Sequence, residues 1–249
     1  MKNIRDLFQA DLDRSLKLAK SLVALEIFGE NQLEKLIKND PEHKISMGVG
    51  TSLHPDIEKV LTKDLLTELQ SNPGIVQEIV HGYLIQVWYE FLGQIFQAIL
   101  HEHFCGPNDY SKLPKINVQL DLAISNSSNI VSNIEEKAAN WFEHEKNHEK
   151  INKIEKYLEI SIDENLKQRI KKYIIVRNVI QHNRGVLRDQ DLETLGRKGG
   201  NITLINDSQQ HQAYTAGERV MISYWEVEAL KNDLYEASNQ LIPGDSEST

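Results

Sequence analysis

Cysteine is almost absent from this chain of 249 residues: Cys105 stands alone. That excludes an intrachain disulfide and gives no support to a secreted disulfide scaffold or a cysteine-based zinc site. Long apolar runs are missing as well. The most apolar stretch, Ile75 to Leu100, is interrupted by Gln77, Glu78, His81, Gln86, Glu90, Gln94 and Gln97. It falls short of the roughly 20 consecutive apolar residues that cross a bilayer, so it predicts a buried core helix and no membrane partner. The N-terminus, MKNIRDLFQADLDRSLKLAK, carries charges every few residues and lacks the apolar core of a signal peptide. A cytoplasmic location is expected. No Walker loop and no serine or cysteine nucleophile motif occurs, nothing calls for a cofactor, and there is no internal repeat.

Excess positive charge is also lacking, since the net charge is −9. That argues against coating nucleic acid by bulk charge. The distribution is uneven, however. From Asp163 to Gly200 nine Lys/Arg face five Asp/Glu, a window of +4 in a chain that is otherwise −13. A local basic surface on an acidic protein suits a discrete anionic ligand, or else a solvated helix face.

The apolar spacing predicts an all-α protein. Leu7, Leu12, Leu16, Ala19, Leu22, Val23 and Leu25 recur at helical intervals, and a second short helix is expected after Gly29, over 31–38. The Pro/Gly/Ser-rich stretch NDPEHKISMGVGTSLHPD separates these from a helix over 56–70. A long helix is predicted over 75–104, with Ile79, Tyr83, Val87, Phe91, Ile95 and Ile99 forming one apolar stripe. SNSSN offers N-caps for a charged helix from about Ile130 that bends before Ile151, and SIDENL opens another that stops at Gly185. A hairpin of 201–206 against 219–223 and a last helix over 225–241 complete the pattern.

The helix ending at Gly185 contains YIIVRNVIQHNRGVL, which is too polar for its apolar flanks. At 100° per residue Arg177, Gln181, Asn178 and His182 share an arc of about 140° with apolar surface on either side. The arc must open on a cleft, a subunit interface or an internal network, the last with Arg177 paired to a carboxylate such as Glu90. A guanidinium fork matches phosphate oxygens, and an imidazole moves protons near neutral pH. Arginine and histidine beside a phosphodiester suffice for metal-free RNA cleavage by 2′-hydroxyl attack.

RNVIQHN resembles the R-N-x-x-x-H form of the R-x(4–6)-H signature of HEPN domains, the helical "higher eukaryotes and prokaryotes nucleotide-binding" superfamily. VWYEFLGQIF, Val87 to Phe96, is similar to a pattern on the first core helix of some members. The resemblance spans about 75–241. It implies an up-and-down helical bundle over 73–242; the small β-hairpin before the last helix, the N-terminal helical extension over 1–72 and the disordered tail over 243–249 are read from the residues alone. It further implies an endoribonuclease that needs no metal, acts on RNA such as tRNA or mRNA, and serves as a toxin with a partner antitoxin protein or in phage defence. Arg177 would stabilise the phosphate, His182 transfer protons and Asn178 position them. Active members dimerise so that two motifs form one composite site, and a homodimer supplies two copies of His182, one as base and one as acid. The family also includes inactive members that only bind a nucleotide, RNA or protein.

Asn183, Arg184, Arg197 and Lys198 follow the motif closely and are expected to contact RNA. GRKGGN, which holds the last two, reads most simply as the entry to the hairpin. His144 and His148 in EHEKNHE have a metal-ligand spacing but sit among lysines, and HEHF, His101 to Phe104, reads as a helix end. No metal site is expected.

Overall fold

The computed structural model describes residues 1–46, 59–117 and 127–243. The SNSSN caps at 125–126, the start of the expected 56–70 helix and the tail over 244–249 lie outside the described residues. Eight helices and two antiparallel strand pairs make up the described chain. The all-α reading holds, and no described helix is long and apolar enough to cross a membrane.

The axis of the molecule is α3, Ile75–Cys105. Its buried side chains go most of the way round its middle, including Leu84, Ile85, Trp88, Phe91, Leu92, Ile95 and Phe96. A helix apolar on nearly all sides must be surrounded. α1, Lys2–Asn39, packs its first half along α3 through Arg5, Phe8, Leu12, Ser15 and Ala19. The Phe8 ring stacks on Phe91 with centroids 4.1 Å apart. Arg5 donates from Nη1 to the carbonyl of Ile242 at 2.8 Å, and Gln9 reaches Ser238 at 2.9 Å. These bonds tie α1 to α8, Tyr224–Leu241. α1 is one helix, not the expected two. Gly29 has open space around it, and a solvated glycine costs a helix only about 1 kcal/mol.

β1, Lys44–Ser46, pairs with β2, Lys59–Leu61, and leads into α2, Thr62–Ser71. α4, Ser127–Glu143, lies against α3. The expected bend after it is a full break: a turn over 144–149 precedes α5, Lys150–Leu158.

α6, Glu164–Asn183, starts where the Asp163 carboxylate accepts from Leu166 N at 2.8 Å. It stops at Arg184 and Gly185, both left-handed at φ 54° and 79°, the reversal that a glycine after a helix end makes easy. A short helix absent from the sequence reading, α7, Asp189–Thr194, follows. Asp191 caps it by accepting from Arg188 N at 3.0 Å.

The hairpin is present, but its second strand lies earlier in the chain than the expected 219–223. β3, Ile202–Ile205, pairs with β4, His211–Tyr214. Asn206 Oδ1 accepts from Ser208 N and Gln210 N, so its side chain closes the turn locally. The chain around Arg219 instead runs extended beside the end of α6, with one bridge to Val186 and Val220 N on the Gly185 carbonyl at 2.9 Å. Only Tyr214 of β4 is buried, so no apolar alternation marked that strand.

Candidate functional site

The polar arc of α6 divides between two surfaces. Five residues turn a helix through about 140°, and this separates Arg177 from His182. Arg177 faces a cleft of about 550 Å³ walled by α3, α4 and the start of α5. His182 is exposed and does not line it. Asn178, half-buried between them, accepts from Arg177 Nη1 at 3.2 Å through its side-chain oxygen. Gln181 is exposed where α6 crosses α3, its amide 3.6 Å from the position a Cβ on Gly82 would take.

Arg177 has no carboxylate within ion-pair distance among the described residues, and its buried Nε has no protein partner. Glu90, the acid the sequence offered as its partner, lines the same cleft but receives the Gln86 amide at 3.1 Å. The guanidinium is therefore uncompensated at the wall of an open cleft. Beside it the buried Tyr89 hydroxyl has no well-formed hydrogen bond among the described residues, only a weak approach by the Asn147 side chain. Burial pushes the Tyr89 pKa well up, opposed by the Arg177 charge and the nearby Asn147 amide.

Across the cleft is Lys150, buried along its stem. Its Nζ donates to the Glu143 carbonyl at 2.9 Å and lies 5.4 Å from the Tyr89 ring centre and 5.7 Å from that of Phe142. Burial lowers its pKa, while Glu143 and Glu145 oppose the shift. Two cations, two aromatic faces and the amides of Gln86, Gln94, Gln97, Asn140 and Asn147 thus share one concavity with Glu90 and Glu143. Such a wall can hold an anionic group on the cations and an aromatic or amide-bearing group on the rest.

Behind the cleft His81 is fully buried, with neither ring nitrogen partnered among the described residues. Its ring lies edge-on to Tyr173, 6.1 Å away. Burial, aided by the charges of Lys172 and Arg177, lowers its pKa from 6.5 to about 3. It is a neutral imidazole beneath the motif helix.

The basic window is mostly neutralised. Lys167 pairs with Glu155 and Glu164, Arg169 with Asp233, Lys172 with Glu226, Arg188 with Asp191 and Lys198 with Glu193. Of its nine cations, Lys171, Arg177, Arg184 and Arg197 have no ion pair among the described residues. Arg184 is exposed at the end of α6, and Arg197 donates to its own loop at the Asn201 carbonyl, 3.2 Å away. Asn183 bonds to the α7 cap Asp191 at 3.4 Å. Asn183 and Arg184 thus adjoin His182, whereas Arg197 and Lys198 occupy the turn beyond α7. His144 and His148 fall in the turn between α4 and α5, not on one helical face.

Tyr89, Lys150 and Asn147 were not singled out by sequence. Tyr89 sits within VWYEF, where a lone tyrosine reads as core, and Lys150 was one lysine in a charged run. Comparison with known proteins returns no matching family model, no similar curated protein and no similar solved structure.

Proposed function

We propose that this chain is an RNA-processing domain of HEPN type, in which the α3–α4–α6 cleft binds the nucleic acid and His182 acts at its phosphodiester. The observation that carries this reading is the unpaired Arg177 guanidinium, held by Asn178 at the wall of the cleft. A fixed fork of donors without a carboxylate is suited to a phosphate. The side-chain amides of Gln94, Gln97, Asn140 and Asn147 line the same cleft and can hydrogen-bond the edges of an unstacked base.

Cleavage would proceed by attack of the ribose 2′-oxygen on the adjacent phosphorus with departure of the 5′-oxygen, leaving a 2′,3′-cyclic phosphate. One imidazole removes the 2′-proton and another protonates the leaving oxygen. A chain carries one motif histidine, so the second comes from a second copy. The exposed row Ile75, Ile79 and Tyr83 on α3, near the α6 crossing, offers an apolar surface on which that copy can seat.

Purified protein incubated with tRNA or total RNA in EDTA is expected to yield fragments ending in 2′,3′-cyclic phosphate. His182→Ala should lower the rate by about 10²–10⁴-fold, and Arg177→Ala by about 10²–10³-fold. Undiminished cleavage by the histidine variant would remove the assignment.

A second reading has its own support. His182 is exposed and does not line the cleft that holds Arg177, so within one chain the two do not share it. A module that binds nucleotide or RNA without cutting it predicts no products, a saturable binding isotherm, and weaker binding in Arg177→Ala and Lys150→Ala with His182→Ala unaffected.

A further inference from the structure

One turn beyond Gln97, at the far end of the cleft, the last turns of α3 bring together side chains that the RNA-processing proposal does not use. His101 and Cys105 are four residues apart on one face of α3, and α4 lays Glu135 against them. His101 Nδ1 is 3.3 Å from Glu135 Oε1. One nitrogen, one sulfur and one carboxylate oxygen all lie within 4.8 Å of one another. We propose that His101, Cys105 and Glu135 form a zinc-binding site that clamps the C-terminal end of α3 to α4.

Zinc takes bonds of about 2.3 Å to sulfur and about 2.0–2.2 Å to nitrogen and oxygen, so tetrahedral donors stand about 3.2–3.8 Å apart. The triad needs to close by about 1 Å to reach that geometry. His101 and Cys105 are exposed and Glu135 is half-buried, so rotamer adjustment provides the closure without moving either helix. The mixed set selects the metal: a thiolate and an imidazole favour zinc over magnesium or calcium, which take oxygen donors. Three protein donors leave the fourth position to water on the solvent side. His103 is not part of the set, because its ring accepts from Tyr110 N at 3.2 Å on another side of the helix. On binding, the thiol releases its proton to solvent, so the site fills more readily as pH rises.

The test uses the full chain, reduced with a non-chelating phosphine and stripped of metal. Titration with Co²⁺ is expected to give a thiolate-to-cobalt charge-transfer band and tetrahedral visible bands that saturate at one ion per chain, and Zn²⁺ to displace them. Cys105→Ser should abolish the charge-transfer band, and His101→Ala and Glu135→Gln should each weaken Zn²⁺ binding at least tenfold in equilibrium dialysis. Zn²⁺ should raise the melting temperature of the native chain and not that of Cys105→Ser. The inference fails if no saturable charge-transfer band appears, or if Glu135→Gln binds as tightly as the native chain. It also fails if saturation comes at one ion per two chains, which would place the metal between molecules. None of these readouts depends on RNA cleavage.

Discussion

The two most informative side chains are buried polar groups without a well-formed hydrogen bond. His81 holds a neutral imidazole in the core behind Arg177. The unfolded chain takes up this proton near pH 6.5, whereas the folded one resists until about pH 3. Below 6.5 the unfolded state therefore binds more protons, and stability present above that pH is lost as pH falls, by up to about 1.4 kcal/mol per unit. Chemical denaturation from pH 8 to pH 4 should show this decline in the native chain and a flatter profile in His81→Leu. At pH 8 the variant should be at least as stable, because neither ring nitrogen has a bond to lose. Parallel profiles would show that another group titrates. Tyr89 poses the complementary case, since its buried hydroxyl at the cleft has only a weak approach from the Asn147 side chain. Tyr89→Phe should leave stability unchanged or raise it by about 1 kcal/mol, as removal of an unsatisfied buried group does. The same variant should bind RNA more weakly. A stability loss above about 1 kcal/mol would mean that the hydroxyl is satisfied within the fold.

At the scale of elements, one buried carboxylate joins three of them. Glu226 on α8, with a fully buried side chain, accepts from Lys172 Nζ on α6 at 2.6 Å and from Ile205 N on β3 at 2.6 Å. Ser223 caps the same helix by accepting from Glu226 N, and its hydroxyl donates to the Ile205 carbonyl. Glu226→Ala leaves Lys172 without its counter-charge and should cost about 3–5 kcal/mol by urea titration. Lys172→Met with Glu226→Leu should recover much of that loss, because the pair's desolvation cost disappears with the pair. Little of this linkage could be read beforehand. The existence of α3, α6 and α8 was legible, because their apolar spacing persists over many turns and Asp163 and Gly185 mark the ends of α6. The partner of β3 was not, because the Asn206 turn is set by one side chain and β4 buries only Tyr214. The outward turn of Ile79 and Tyr83 was equally hidden. An apolar stripe states that a face is sticky, not that this chain covers it.

At the scale of the whole molecule, the motif was legible as a polar arc, but its division was not. Periodicity places Arg177 and His182 on one arc; only the position of α4 and the 144–149 turn that leads to Lys150 decides that the cleft ends between them. The exposed row on α3 gives that division a physical consequence. Ile79 and Tyr83 are 64% and 54% exposed, and Ile75 extends the row to 41%, all on the helix that Gln181 crosses at Gly82. Large apolar side chains aligned at i, i+4 and i+8 are ill-suited to water, and burying them against a second copy gains about 25 cal/mol per Å². If two chains meet there, the His182 ends of both α6 helices approach the seam, and the pair of imidazoles that acid–base cleavage requires becomes available. Light scattering should then report a dimer whose population falls on dilution, and specific RNase activity should fall with it, since one chain lacks the second imidazole. Ile79→Glu with Tyr83→Glu replaces exposed groups, so the circular dichroism spectrum and melting temperature should hold. The same variant should be monomeric and lose at least tenfold in cleavage, while one chain's cleft still binds RNA. Full activity in a monomeric double variant would separate the cleft from any twofold arrangement, and cleavage would then have to use a single His182 with a proton acceptor from the RNA or solvent.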